Sequence, residues 1–160
     1  MPVFVDRFLV PAAPEAVAAF HHDTRVLKRL TPPPVFVQIH HIEPLGEGSR
    51  SEFTLWFGPL PLRWLAVHSQ VSVKNGFTDT QSRGPLKRWV HRHHWQEDGR
   101  GHTVMEEFVE YEHFTGRRGL LTRLLFAPPL LWVMFRYRRF AMRRGVKRSI
   151  KQAQKRKDGG

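Results

Sequence analysis

At 160 residues with 41% apolar content, the chain is long enough for one well-buried core and too short for two ordinary domains. It contains no cysteine, which excludes a disulfide framework, a thiolate metal site and a cysteine nucleophile. The net charge of +12 is concentrated at one end: residues 136 to 157 carry 11 of the 26 Lys and Arg and no acid, against 15 basic and 13 acidic residues in positions 1 to 135.

Residues 3 to 10 are apolar and β-branched around the charged pair Asp6-Arg7, and Pro11 ends the run, which predicts a first strand. No basic segment precedes this interrupted run, so a signal peptide is not expected and a cytoplasmic protein is. Two short helices follow. Pro14 suits a first helical position with Val17 and Phe20 as its stripe, and Val26, Leu27 and Leu30 form a second stripe that Thr31-Pro32-Pro33-Pro34 terminates.

From Val35 to Phe114 six strand-length segments are separated by turn signals: 35–42, 50–57, 62–74, 77–83, 87–96 and 102–113. Gly46-Glu47-Gly48, Gly58-Pro59, Asn75-Gly76, Gly84-Pro85 and Asp98 to Gly101 supply the turn chemistry, and such short links imply an antiparallel meander. A helical pattern begins near Gly119, breaks at Pro128-Pro129 and resumes from Leu130 to about Lys151. Its most apolar part, Leu120 to Phe135, holds Arg123 and two prolines within 16 residues, short of the roughly 20 apolar residues a membrane-spanning helix needs. The reading is therefore an α+β domain over residues 1–150, with residues 151–160 as a basic flexible tail. A seven-stranded curved antiparallel sheet, two short helices after its first strand and a long C-terminal helix gripping its concave face make up the domain.

Strand parity identifies the concave face. A hairpin centred near Gly99 sets His93 across from Met105, His91 from Glu107 and Trp89 from Val109, all odd-numbered. The even positions, among them Arg88, Arg92, His94, Glu106, Glu110 and Glu112, form a charged face that belongs in water, so the odd face points inward. Phe53, Leu55 and Phe57 alternate in the same sense. In the strand at 62–74 the register depends on the turn. A two-residue turn at Asn75-Gly76 turns His68, Gln70 and Ser72 inward with Asp79 and Gln81; a three-residue turn with a bulge, the favoured reading, turns Val67, Val71 and Val73 inward.

The inward set then joins Phe53, Leu55, Phe57, Phe77, Trp89, Met105 and Val109 with the polar Gln81, His91, His93, Glu107 and Tyr111. That is the composition of a ligand pocket. It is also that of a filled core in which His91 and Glu107 satisfy one another, and an interaction protein without a cavity would look the same.

The element order, with Leu30-Thr31-Pro32-Pro33, Gly76-Phe77-Thr78-Asp79-Thr80-Gln81, Gly84-Pro85, Trp89-Val90-His91-Arg92-His93 and Thr103 to Tyr111, resembles the superfamily of polyketide cyclases, steroidogenic-acute-regulatory-related lipid-transfer domains and plant pollen allergens. Within it the chain is most similar to a bacterial ligand-binding subgroup, from which it departs by Glu107 in place of aspartate and by its basic C-terminal end. The resemblance covers residues 3 to about 150. It implies the helix-grip fold and an internal cavity for an apolar or amphipathic molecule such as a lipid, isoprenoid or polyketide, and leaves open a cyclase- or dehydratase-type enzyme.

As an enzyme the domain would use His91 as base, Glu107 to orient it and Tyr111 or Gln81 to donate a hydrogen bond to an enolate. No nucleophile elbow or phosphate loop accompanies these residues, and no cofactor is expected. His91 and His93 share a strand face as two metal ligands would, but a third ligand is missing from any nearby spacing; Glu107 could supply it, yet a hydrogen-bonded histidine–carboxylate pair needs no metal, so none is expected.

In the basic C-terminal helix, Val133, Tyr137, Phe140 or Ala141, and Arg144 or Gly145 form the stripe expected to close the grip. Arg136, Arg138, Arg139, Arg143, Arg144, Lys147 and Arg148 would then face solvent, either as a solvated helix face with no partner or, in the functional alternative, as a surface for anionic lipid headgroups that would give a peripheral membrane position. No nucleic-acid readout motif accompanies the charge.

Overall fold

The computed structural model describes residues 1–23 and 25–158. In chain order the elements are β1 (Val3–Val10), α1 (Pro14–His22), α2 (Val26–Leu30), β2 (Phe36–Ile42), β3 (Arg50–Phe57), β4 (Leu60–Ser72), β5 (Gly76–Arg83), β6 (Arg88–Glu97), β7 (Thr103–Glu112), α3 (Gly116–Leu125) and α4 (Pro128–Asp158). The seven strands form one antiparallel sheet in the order β1-β7-β6-β5-β4-β3-β2, so β1 and β2 are its edges and the meander closes back onto the N-terminal strand. α4 lies against the concave face, and α1 and α2 fill one end of the grip.

Sequence explains most of these boundaries. Pro14 opens α1, where a missing N–H costs nothing, and Pro128-Pro129 opens α4 for the same reason. α3 and α4 are bent by 42° at this break; together they have the length and apolarity of a membrane span, but no single helix among the described residues does. α4 continues through Asp158, into the stretch 151–160 set apart above as a tail, of which Gly159 and Gly160 lie outside the described residues. The Lys, Gln and Ala of this stretch are good helix formers, so the helix ends with them rather than at Lys151.

Two expectations of register are corrected. In the β6–β7 hairpin the partners are His93 with Glu107, His91 with Val109 and Trp89 with Tyr111, two residues from the predicted pairing. The cause is a longer loop. The Asp98 carboxylate accepts the amide N–H groups of Arg100 and His102, and Gly99 and Gly101 take positive φ, which moves the centre of the hairpin to Arg100. A slip of two keeps parity, so the odd face still points inward.

In β4 neither predicted alternative holds throughout. A three-residue turn, Val73 to Asn75, does follow the strand, but the bulge lies further back, at Gln70 with φ 55°. Leu62, Trp64, Ala66 and His68 therefore point inward, Val67 does not, and parity inverts only in time for Val71 to pack on the core. Val73 is exposed.

The gripping stripe of α4 is also different. Leu131, Phe135, Met142 and Val146 are buried, with Arg138 between them, whereas Val133 and Phe140 are exposed. A search for apolar spacing passes over a stripe that has an arginine in its middle. Gly145 sits on this face because the helix crosses α1 there; a Cβ would stand 2.3 Å from the Phe20 ring. The interior consists of two apolar clusters. One joins α1, β1 and the C-terminal half of α4 through Phe8, Val17, Phe20, Trp95, Met105 and Met142. The other joins β3, β4, β6, β7 and the start of α4 through Phe53, Trp64, Trp89, Val109, Phe126 and Phe135.

Candidate functional site

The second cluster does not close. Between the concave face and the α3–α4 bend lies a cavity of about 360 Å³, with walls of Phe53, Leu55, Phe57, Trp64 and Trp89 from the sheet and Phe126, Leu131 and Met134 from the helices. Its mouth is framed by Leu27 and Leu30 of α2, Thr31 to Val35, Gly58, and Leu125, Leu130 and Val133. Among the described residues three ionisable side chains reach it: Asp79, His91 and Arg138. A smaller cavity of about 80 Å³ lies beyond this floor, lined by His21, His68, His93 and Phe77 among others, and Asp79 and Arg138 border both.

The floor is set by cross-strand register. Asp79 of β5 pairs with His91 of β6, and His93 of β6 pairs with Glu107 of β7, so four polar residues tile three neighbouring strands on the concave face. Nε2 of His91 lies 2.6 Å from Oε2 of Glu107 across the diagonal, a short charge-assisted hydrogen bond between two side chains that are each 2% exposed. Nδ1 of His93 is 2.9 Å from the same oxygen but is not aligned for a hydrogen bond, and it has no other partner. Oδ1 of Asp79 and Nε2 of His21 are likewise buried without partners. Phe77 stacks on His93 with ring centres 4.2 Å apart, and His21 stacks on Trp95 at 5.3 Å while its Nδ1 lies 2.8 Å from the Val17 carbonyl oxygen.

Burial dominates the titration of this group. It pushes His93 down to about 4 against the pull of Glu107, and pushes His21 down to about 4 with help from neighbouring His93. His91 is lowered by burial too, with Glu107 opposing. Burial alone would raise the Glu107 carboxyl, but His93 and His91 overcome it and hold it well below the usual carboxylate range. Burial also lowers the Arg138 guanidinium from its ordinary value, while Glu107 and Asp79 act to keep it charged. The floor thus joins a hydrogen-bonded imidazole–carboxylate pair to one guanidinium beside it.

Of the residues singled out from the sequence, Phe53, Leu55, Phe57, Trp89 and His91 line the larger cavity, and Phe77 and His93 line the smaller one. Glu107 stands behind His91. Met105 belongs to the first apolar cluster and Val109 and Tyr111 to the second, and none of the three borders either cavity. Gln81 is turned away to brace the β5–β6 loop, its amide donating to the Leu86 carbonyl and accepting from the Leu86 N–H. The catalytic trio of His91, Glu107 and Tyr111 is therefore not assembled, since Tyr111 packs on Trp89 with ring centres 6.2 Å apart and stays outside the cavity.

Sequence reasoning set Asp79 inward with Gln81 but left it out of the candidate site, although pairing with His91 brings it to the floor, and it assigned Arg138 to solvent. Arg139 is also taken from the proposed lipid-facing set, by an ion pair with Asp6, and Arg143 is tied by its Nε–H to the Leu9 carbonyl. Residues 79, 91 and 93 can each offer one ligand atom within 4.8 Å of the others, so the third donor that sequence spacing lacked comes from β5.

No family model matches the chain, and no curated protein matches it. Solved structures do. A protein of Thermus thermophilus, TTHA0849, is 20% identical, with 92% of this chain and 99% of that one covered at a TM-score of 0.72. Norcoclaurine synthase from Thalictrum flavum, in complex with dopamine and hydroxybenzaldehyde, is 16% identical over 94% of this chain and 87% of its own, at a TM-score of 0.65. Ara h 8.0201 is 14% identical over 94% and 98%, at 0.62. At these identities the likeness is one of fold: the chain has the helix-grip fold, as the sequence resemblance implied.

Proposed function

We propose that the protein binds an apolar or amphipathic small molecule in the cavity beneath α4. The observation that supports this is the cavity itself, whose volume of about 360 Å³ falls within the range of roughly 300–1,000 Å³ typical of ligand pockets. Its walls are apolar and aromatic, and its few polar groups converge on one floor, the arrangement that orients an amphipathic molecule by its polar end. Norcoclaurine synthase, on the same fold, was solved with two small aromatic molecules bound, which supports the class of ligand without naming it. Native mass spectrometry of protein from its own host, followed by organic extraction, tests the reading. A stoichiometric small molecule is the expected result; an empty chain that also fails to bind fatty acids, isoprenoids and polycyclic aromatics would overturn it.

The same reading gives the α3–α4 face a role in loading from an anionic bilayer, for a cytoplasmic protein that works at the membrane surface. Leu130 and Val133 are exposed at the mouth of the cavity, and Leu120, Leu124 and Trp132 are exposed on the same two helices. Arg117, Arg118, Arg123 and Arg136 are exposed beside them, and no acid occurs between Glu112 and Asp158. Each cation near an anionic surface contributes about 1 kcal/mol. Co-sedimentation should show stronger partition onto vesicles containing phosphatidylserine than onto phosphatidylcholine alone. The double variant L124E/W132E should lose it with an unchanged thermal midpoint. Equal partition onto both vesicles would refute the membrane role.

A further inference from the structure

The floor contains more unsatisfied polar atoms than a hydrogen-bonded His–Glu pair leaves over. Oδ1 of Asp79 is buried without a partner, and Nδ1 of His93 makes no aligned hydrogen bond, standing 2.9 Å from Oε2 of Glu107. They lie on adjacent strands on either side of His91, whose Nε2 is engaged by Glu107 while the other ring nitrogen is left for another bond. A carboxylate behind a histidine in this way fixes the ring's orientation and raises its basicity, as in metal sites where the ligand imidazole donates to an outer carboxylate.

We propose that Asp79, His91 and His93 form a binding site for a divalent transition-metal cation, open on one side to the ligand cavity. Two imidazoles and one carboxylate select a borderline cation of the Zn²⁺ or Fe²⁺ class over Ca²⁺ or Mg²⁺, which require oxygen ligands. The three ligand atoms lie within 4.8 Å of one another, against roughly 3.4 Å between ligands on a tetrahedral zinc, so side-chain rotation of about an ångström closes the site. Charge does not forbid it. Asp79 and Glu107 are two carboxylates against the single guanidinium of Arg138. The remaining coordination positions face the cavity, where a bound molecule's oxygen could complete the shell.

The test is made on the full chain after chelator treatment, with Zn²⁺ and Co²⁺ alone as probes and no small molecule present, so that its outcome is independent of whether the cavity holds a ligand. Equilibrium dialysis should show one cation per chain, binding should raise the thermal midpoint, and Co²⁺ should develop visible absorption bands of low-symmetry coordination. Asp79→Asn, nearly isosteric, should keep the metal-free thermal midpoint and weaken cation binding by at least about tenfold, and His93→Gln should do the same. If the unmodified chain binds no cation, or if Asp79→Asn binds it as tightly through exposed histidines such as His41, the proposal fails. Should His93→Gln not fold, Asp79→Asn alone decides.

Discussion

Gly76→Ala will lower the thermal midpoint by about 10 °C or more, or abolish folding, whereas Gly99→Ala will cost only a few degrees. Both glycines have positive φ, 110° and 78°, so both substitutions carry the strain of an L residue in that region, about 1–2 kcal/mol. At Gly99 nothing lies within 4 Å of an added Cβ. At Gly76 the Cβ would stand 1.7 Å from the His93 carbonyl oxygen and 2.8 Å from its carbon, both backbone atoms that cannot rotate away. β5 and β6 would have to separate at the Gly76–His94 pair, and the same ladder sets Phe77 on His93 and Asp79 beside His91. Circular dichroism melting of the two variants checks this; equal, small losses would show that the strands do not approach so closely.

The order and number of elements were legible because their causes are local. Turn residues, proline at helix starts and strict alternation in 50–57 produce the strands and helices with little help from the rest of the chain. Register was less legible because it is fixed by side-chain hydrogen bonds inside loops. The Asp98 carboxylate lengthens the β6–β7 turn, and no residue type marks the bulge at Gln70, where a non-glycine takes positive φ and is held by the Thr78 hydroxyl donating to its side chain.

The floor of the site was half legible. His91, His93 and Glu107 follow from parity, which survives a two-residue slip. Asp79 shares that parity but was considered only with Gln81, and the two have opposite fates: Gln81 finds the Leu86 backbone to bind, while Asp79 is left facing the cavity. Arg138 was missed for a definite reason. Two inward carboxylates on a sheet with no inward cation require a counter-charge from the covering helix, and the position that supplies it interrupts the apolar stripe by which that helix was judged. The mouth residues Thr31 to Val35 and Leu125 lie at or near element ends, where periodicity has nothing to say.

Leu55→Trp on β3 and Ala66→Leu on β4 will have opposite consequences. Ala66 is fully buried in the second cluster and borders neither cavity, so the added side chain must displace packed neighbours at a cost of about 1–3 kcal/mol. That is a fall of roughly 2–12 °C in thermal midpoint. Leu55 is half-buried and faces the cavity, where a larger ring meets open volume and removes apolar surface from water, so the midpoint should hold or rise slightly. Binding should move the other way. A neutral naphthylamine dye, followed by quenching of Trp64 and Trp89 in the cavity wall, should bind Leu55→Trp at least about tenfold more weakly than the parent, a loss of 1.4 kcal/mol, and bind Ala66→Leu normally wherever that variant is folded. If Leu55→Trp instead loses stability as Ala66→Leu does, the space beneath α4 is closed in solution, the interior is a packed core, and the His91–Glu107 pair is a satisfied structural contact rather than the floor of a site.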